Sequence, residues 1–130
     1  MDMTTASYAP DTDAPRESRL LLRDFLTRQG AEELVFIGEV LLSELVSNVV
    51  RHAHSQIDVD LSWNDDRLLR AEVRDGSSII PAVAELADAD GGYGLRLVEA
   101  FAEDWGIRQL ESGKAVWFTL RRAEPGGKPR

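Results

Sequence analysis

Three places in the chain carry residues whose type and spacing could do chemistry. Ser43, Glu44, Ser47, Asn48, Arg51 and His52 recur at intervals of three and four, which lines them along one side of a helix. An amphipathic helix needs a solvated face, and a polar stripe meets that need without any ligand. The residue types suggest a second use. Asparagine is a poor helix former, and its amide oxygen is a neutral hard ligand suited to Mg²⁺. Glu44 stands one turn before Asn48, where a carboxylate would polarise a water or hydroxyl beside such an ion.

The second place is Asp75. Counting by twos, Leu69, Ala71, Val73 and Asp75 share one face of a strand, and the first three must meet the core. A carboxylate aimed inward is costly unless something satisfies it. Either Asp75-Gly76 begins a turn after the strand has ended, or the carboxylate accepts a hydrogen bond from a buried ligand amine such as the exocyclic amino group of a purine. The third place is Gly91-Gly92-Tyr93-Gly94, directly before a helix. It reads as a flexible connection, or as a loop that lets a phosphate approach the free N–H groups of the helix start. Two familiar phosphate motifs fail. Ala115 follows Gly113-Lys114 and position 108 is Arg, so there is no Walker A loop. Leu97 stands where a dinucleotide fingerprint opening at Gly92 needs its third glycine.

These residues require a scaffold. A first helix is expected after Asp13, with Pro15 in its first turn, Glu17 favouring the helix dipole, an apolar stripe of Leu21, Leu22, Phe25 and Leu26, and Gly30 as its stop. A second and longest helix spans about 32–53, burying Leu34, Leu41, Leu42, Leu45, Val46, Val49 and Val50. Residues 56–63 alternate, with Ile57, Val59, Leu61 and Trp63 on one face and Asp58, Asp60 and Ser62 on the other. After a turn at Asn64-Asp65-Asp66, a second strand carries Leu69, Ala71 and Val73 inward and Arg70, Glu72 and Arg74 outward. Residues 77–94 read as loop with a short helix near 82–89, and a third helix covers about 95–101. Strands over 105–110 and 114–121 form a hairpin across Glu111-Ser112-Gly113. The expected fold class is an α/β two-layer sandwich, a mixed, mostly antiparallel sheet with helices on one face. Residues 1–12 are expected as a flexible N-terminus with at most a short strand near Ser7–Tyr8, 13–122 as the domain, and 123–130 as a disordered tail.

Composition bounds the function. The 130 residues suit a single domain. Fifteen basic against 23 acidic residues leave a net charge of −8, which argues against a nucleic-acid partner. Without cysteine there are no disulfides, thiolate metal sites or cysteine nucleophiles. No apolar run is long enough to span a bilayer, and Met-Asp-Met-Thr-Thr lacks the regions of a secretory signal, so no membrane association and a cytoplasmic location are expected.

In combination the three places are more specific than any one of them. A helix with Glu-x-x-x-Asn, a strand ending in an inward Asp and a glycine loop opening a helix, in that order, resemble the Bergerat-type ATP-binding fold of the GHKL (histidine kinase-like) family over about 41–120. Glu44-Leu45-Val46-Ser47-Asn48-Val49-Val50-Arg51-His52-Ala53 looks like its N box, Val73-Arg74-Asp75-Gly76-Ser77 like its first glycine box, and Gly91-Gly92-Tyr93-Gly94-Leu95-Arg96-Leu97-Val98 like its second. The compact length and the ending Gly113-Lys114-Ala115-Val116-Trp117-Phe118 are most similar to bacterial anti-sigma-factor serine kinases. The resemblance implies ATP and Mg²⁺ as cofactors, with Asn48 holding the ion through the ATP phosphates and Glu44 as general base or orienter. It implies Asp75 on the adenine amine with Ser77 beside it, Gly92 and Gly94 lining the phosphates next to Gly91, and Arg51 and His52 flanking the phosphate end. His52 is read as structural and His54 as a surface residue at a helix end, and residues 78–90, which carry no basic side chain, as a lid.

As implied partners stand a sigma factor and an anti-anti-sigma protein of the STAS type, with a homodimer as the assembly. One departure is present: the common first box is Asp-x-Gly-x-Gly, and Ser77 and Ile79 hold its two glycine positions here. That substitution bears on affinity and turnover, and it favours the alternative of a nucleotide-dependent protein-binding module without kinase activity. A plain interaction domain without nucleotide leaves the inward Asp75 unexplained.

Overall fold

The apolar alternations read from the sequence become neighbouring strands of one sheet. The computed structural model describes residues 2–65, 67–77 and 94–123. Its elements run β1 (Asp2–Tyr8), α1 (Ala14–Arg28), α2 (Val35–Asn48), β2 (Ile57–Asn64), β3 (Leu68–Asp75), α3 (Gly94–Phe101), β4 (Asp104–Leu110) and β5 (Gly113–Arg121). The five strands are ordered β1-β2-β3-β5-β4. Every pairing among them is antiparallel, so the sheet expected to be mixed and mostly antiparallel is antiparallel throughout the described residues. The short helix expected near 82–89, Gly91 and Gly92, residues 78–90 and the tail from 124 onward lie outside the described residues.

In α1, Pro15 lies in the first turn, and Leu22, Phe25 and Leu26 are wholly buried as their spacing requires. Gly30 ends it with φ +72, a conformation glycine adopts without a steric cost. The long helix expected over 32–53 is one helical run of three kinds: a 3₁₀ turn at Glu32–Leu34, α2, and a wide π turn at Val49–Ala53. In that last turn the His54 N–H reaches back five residues to the Val49 carbonyl at 3.0 Å, and His54, exposed as expected, closes the run with φ 51. Both helices and α3 cover one face of the sheet. There Ile57, Val59 and Leu61 of β2, Leu69, Ala71 and Val73 of β3, and Phe118 and Leu120 of β5 join Leu41, Leu42, Val46, Leu95 and Val98 in a single core. Each large side chain removed from water contributes roughly 1.5–3 kcal/mol, so this layer fixes α2 over β3.

One expectation about the sheet needs correction. Residues 2–8, expected within a flexible N-terminus, form the edge strand β1, paired with β2 from Asp2↔Trp63 to Tyr8↔Ile57. Thr4, Ala6 and Tyr8 take the helix side but offer little apolar area, which is why the strand left so faint a pattern. Ser7 donates to Asp58 at 2.6 Å, and this bond, with another from Gln56, holds the Asp58 carboxyl below the usual range. Glu72 lies on the outer face as expected, yet it is only 4% exposed. Arg70 and Arg108 reach one of its oxygens at 3.0 and 3.2 Å, and Arg74 reaches the other at 3.0 Å while also pairing with Asp60. Arg70 in turn lies 5.1 Å over the Trp117 ring, so long cationic side chains roof the carboxylate.

Candidate functional site

The end of α2 and its π turn face the C-terminal end of β3, the start of β5 and the first turn of α3. Between them opens a pocket whose empty space is about 430 Å³ when the open solvent in front of it is included. Leu45, Val49, Val73, Leu95 and Val116 make its apolar walls, Asn48 and His52 enter from the helix side, and Asp75 and Lys114 enter from the sheet side. A flat aromatic ligand matches such walls, and the few polar groups would orient it.

The β3–β5 ladder delivers the sheet side. Asp75 stands opposite Lys114 in register. The Lys114 ammonium lies 3.0 Å from both Asp75 oxygens, and the Ser77 N–H donates to Oδ1 at 2.8 Å. Gly113 makes this approach possible: its φ is +134, and a Cβ there would overlap the Asp75 carbonyl and lie 3.0 Å from the Gly76 Cα. Asp75 is therefore inward and buried as expected, and it is held ready by a cation and a backbone donor. Ser77 contributes at least its backbone N–H.

On the helix side, Asn48 is the last residue of α2, and Arg51 donates to its Oδ1 at 2.7 Å. The wide turn thus folds Arg51 back onto the amide. Glu44, one turn earlier and half-buried, keeps Oε2 buried with no hydrogen-bond partner, and Arg51 Nε is buried and unpartnered as well. Buried polar atoms without partners are expensive and call for an explanation. An anionic ligand with a bound cation offers one, giving Arg51 an acceptor and Glu44 a donor or cation to face. Among the described residues no three histidine or acidic side chains cluster as a metal site. A divalent ion here would thus rely on Asn48 and on oxygens of the ligand itself, a division of labour usual for Mg²⁺. The residues present fit an Mg-nucleotide.

Among the residues expected from the sequence, Asn48 and Asp75 line one cavity, Arg51 is bonded to Asn48, Glu44 lies one helical turn away, and Gly94 opens α3 beside Leu95 in the wall. His52, read as structural, stands in the cavity wall. Lys114 was missed altogether.

A family model for the histidine kinase-like ATPase domain matches residues 8–120. The chain belongs to that family. Comparison with curated proteins gives no match. Among solved structures, the crystal structure of the RsbU and RsbW domains of Rv1364c from Mycobacterium tuberculosis has the same fold, with TM-score 0.75 and 23% identity over 96% of this chain and 34% of that one. This histidine kinase-like ATPase domain thus spans about a third of the length of that protein. Its Glu44-to-Ala53 segment is the end of α2 with the π turn, and its Asp75 is the last residue of β3. The two segments thus meet across the cavity. Among the described residues no helix is long and apolar enough to cross a membrane.

Proposed function

We propose that this domain binds Mg-ATP between α2 and the β3–β5 ladder and acts in the cytoplasm as an anti-sigma-factor serine kinase. In that role it phosphorylates an anti-anti-sigma partner of the STAS type, sequesters a sigma factor and works as a homodimer. One observation carries the reading: Asn48 and Asp75, from different layers of the fold, line the same cavity. Membership in the histidine kinase-like ATPase family supports ATP as the nucleotide. The segment Gly113-Lys114-Ala115-Val116-Trp117-Phe118, similar to that of bacterial anti-sigma-factor serine kinases, supports the partner class.

Bound Mg-ATP supplies the transferable phosphoryl group and the cation that neutralises its charge. The protein supplies position. Asp75 would accept from the base amine, and Asn48 would offer its amide oxygen to the cation. Arg51 would turn its unpartnered Nε toward phosphate oxygens, with Gly92 and Gly94 lining them. Glu44 would take the proton from the serine hydroxyl, an acceptor role for which its vacant Oε2 is suited.

Calorimetric titration of Mg-ATP into wild type, Asn48→Ala and Asp75→Asn tests the site. Wild type should bind, and each substitution should weaken binding tenfold or more, about the loss of one bond to a charged group. Wild-type affinity in both variants would remove the site from this cavity. Labelled ATP with a STAS-type acceptor then tests transfer, which Glu44→Ala should abolish while still binding nucleotide. The second reading, a nucleotide-dependent binding module, is favoured by Ser77 in place of the first box's glycine, and wild type that binds ATP but transfers nothing would select it.

A further inference from the structure

On the helix-facing side of the β3–β5 ladder the facing pairs are Leu69–Leu120, Ala71–Phe118 and Val73–Val116, all apolar, and then Asp75–Lys114. Only the pair at the cavity is charged. Its side chains are 2% and 10% exposed, so both ions have been taken almost wholly out of water. A buried ion pair is a poor device for stability alone, because a well-packed apolar pair in its place serves the fold as well or better. The pair therefore calls for another use.

A count of its bonding capacity indicates one. A carboxylate offers about four lone-pair sites and an ammonium three protons. Asp75 Oδ1 takes the Ser77 N–H and one contact from Lys114, and Oδ2 takes the other contact from Lys114. An acceptor site on Oδ2 and at least one Nζ proton are left over, side by side, on two residues that both line the cavity. That is the complement of a heterocycle edge carrying an amine donor next to a ring-nitrogen acceptor.

We infer that Lys114 is a specificity-determining residue that reads the base together with Asp75: the carboxylate accepts from the 6-amino group of adenine while the ammonium donates to the adjacent ring nitrogen. This rests on the nucleotide reading given above and adds a second, direct contact to the base. Lys114 also holds the Asp75 carboxylate aimed, so the couple acts as a unit. Without Lys114 the site would read the amine and be blind to the ring nitrogen.

The test is a calorimetric series with Mg-ATP, its 1-deaza analogue, which has C–H in place of that ring nitrogen, and purine riboside triphosphate, which lacks the amine. Wild type should bind each analogue about tenfold or more weakly than ATP, the scale of one hydrogen bond to a charged group. Lys114→Met should lose the penalty for the 1-deaza analogue yet keep the penalty for the missing amine, and Lys114→Arg should recover part of the former. Equal affinity of wild type for ATP and its 1-deaza analogue overturns the inference, and that arm needs no variant should Lys114→Met fail to fold by circular dichroism. A full 1-deaza penalty in folded Lys114→Met overturns it too. If wild type binds ATP in a manner lost in Asn48→Ala and Asp75→Asn but ignores the ring nitrogen, the nucleotide reading stands and this inference alone falls. Binding of none of the three compounds removes both.

Discussion

Replacing Gly113 with alanine should damage the fold and the site together, because one backbone contact serves both. The residue sits at φ +134, where an L side chain is strained, and the Asp75 carbonyl and the Gly76 Cα occupy the space a Cβ would take. Holding a non-glycine residue in such a region costs roughly 1–3 kcal/mol. The overlap is with main chain, which cannot rotate away. Carbon atoms approach comfortably only to about 3.5–4.0 Å, so the start of β5 must retreat from β3 by on the order of 1 Å. That retreat strips hydrogen bonds from the end of the ladder at about 1 kcal/mol each. A total near 3 kcal/mol follows, which for a domain of this size lowers Tm by roughly 10 °C. Urea unfolding of Gly113→Ala and of the neighbouring Ser112→Ala, which is exposed, measures the difference. Titration of Mg-ATP at a temperature where both are folded measures the site. Since the retreat carries Lys114 away from Asp75, Gly113→Ala should bind more weakly than Ser112→Ala by tenfold or more, the loss of one bond to a charged group. An unchanged urea midpoint would refute the steric argument. A destabilised variant with wild-type affinity would refute the claim that this contact positions the base-reading residues.

Two further outcomes are expected. Burial alone would push the Glu72 carboxyl up, but hydrogen bonds from Arg70 and Arg74 and the charges of Arg70 and Arg108 outweigh it and hold it below 4.5, the ordinary glutamate value. Its contribution is therefore complete at neutral pH and is lost as pH falls below that value through the depressed one. Glu72→Gln should cost about 1–2 kcal/mol at pH 7, the surface arginines being partly screened, and the gap to wild type should shrink toward pH 3 in urea unfolding. A gap independent of pH would mean that the charge is not what stabilises the roof. Arg51→Met should weaken Mg-ATP binding about tenfold and flatten its dependence on ionic strength, since one charge-assisted contact is removed. An unchanged salt slope in calorimetry would place the guanidinium away from the phosphates.

Much of this arrangement was legible in the residues, for identifiable reasons. The helical stripe of α1 and the alternation of β2 and β3 are local patterns set by one periodicity each, and burial follows them from Leu22 to Val73. Asp75 was legible because it broke such a pattern. Lys114 breaks its own pattern in the same way: counting back by twos from Leu120 through Phe118 and Val116 ends on it. The signal was present, but its meaning needed the Asp75 partner 39 residues away, which only strand register supplies. Glu72 is buried by arginines from its own strand and from β4, a roof that no local window displays. Only the Ser7–Tyr8 end of β1 was legible, for the opposite reason: it is an edge strand of mostly small and polar residues with one neighbour to satisfy. The change from α to π winding after Asn48 follows no compositional rule; it shows in the backbone, as in the hydrogen bond from His54 to Val49.

That change of winding makes segment length matter more than segment composition between Val49 and Ala53. An α-helix advances about 100° per residue, so deleting one residue there would swing the chain that follows by roughly that angle relative to the Glu44 and Asn48 side. Arg51 or its replacement would then leave the amide it now touches, and the entry into β2 would point away from the sheet. Substitutions in this stretch are graded events, whereas insertions and deletions are all-or-none, and any redesign of the domain has to preserve its residue count before its chemistry.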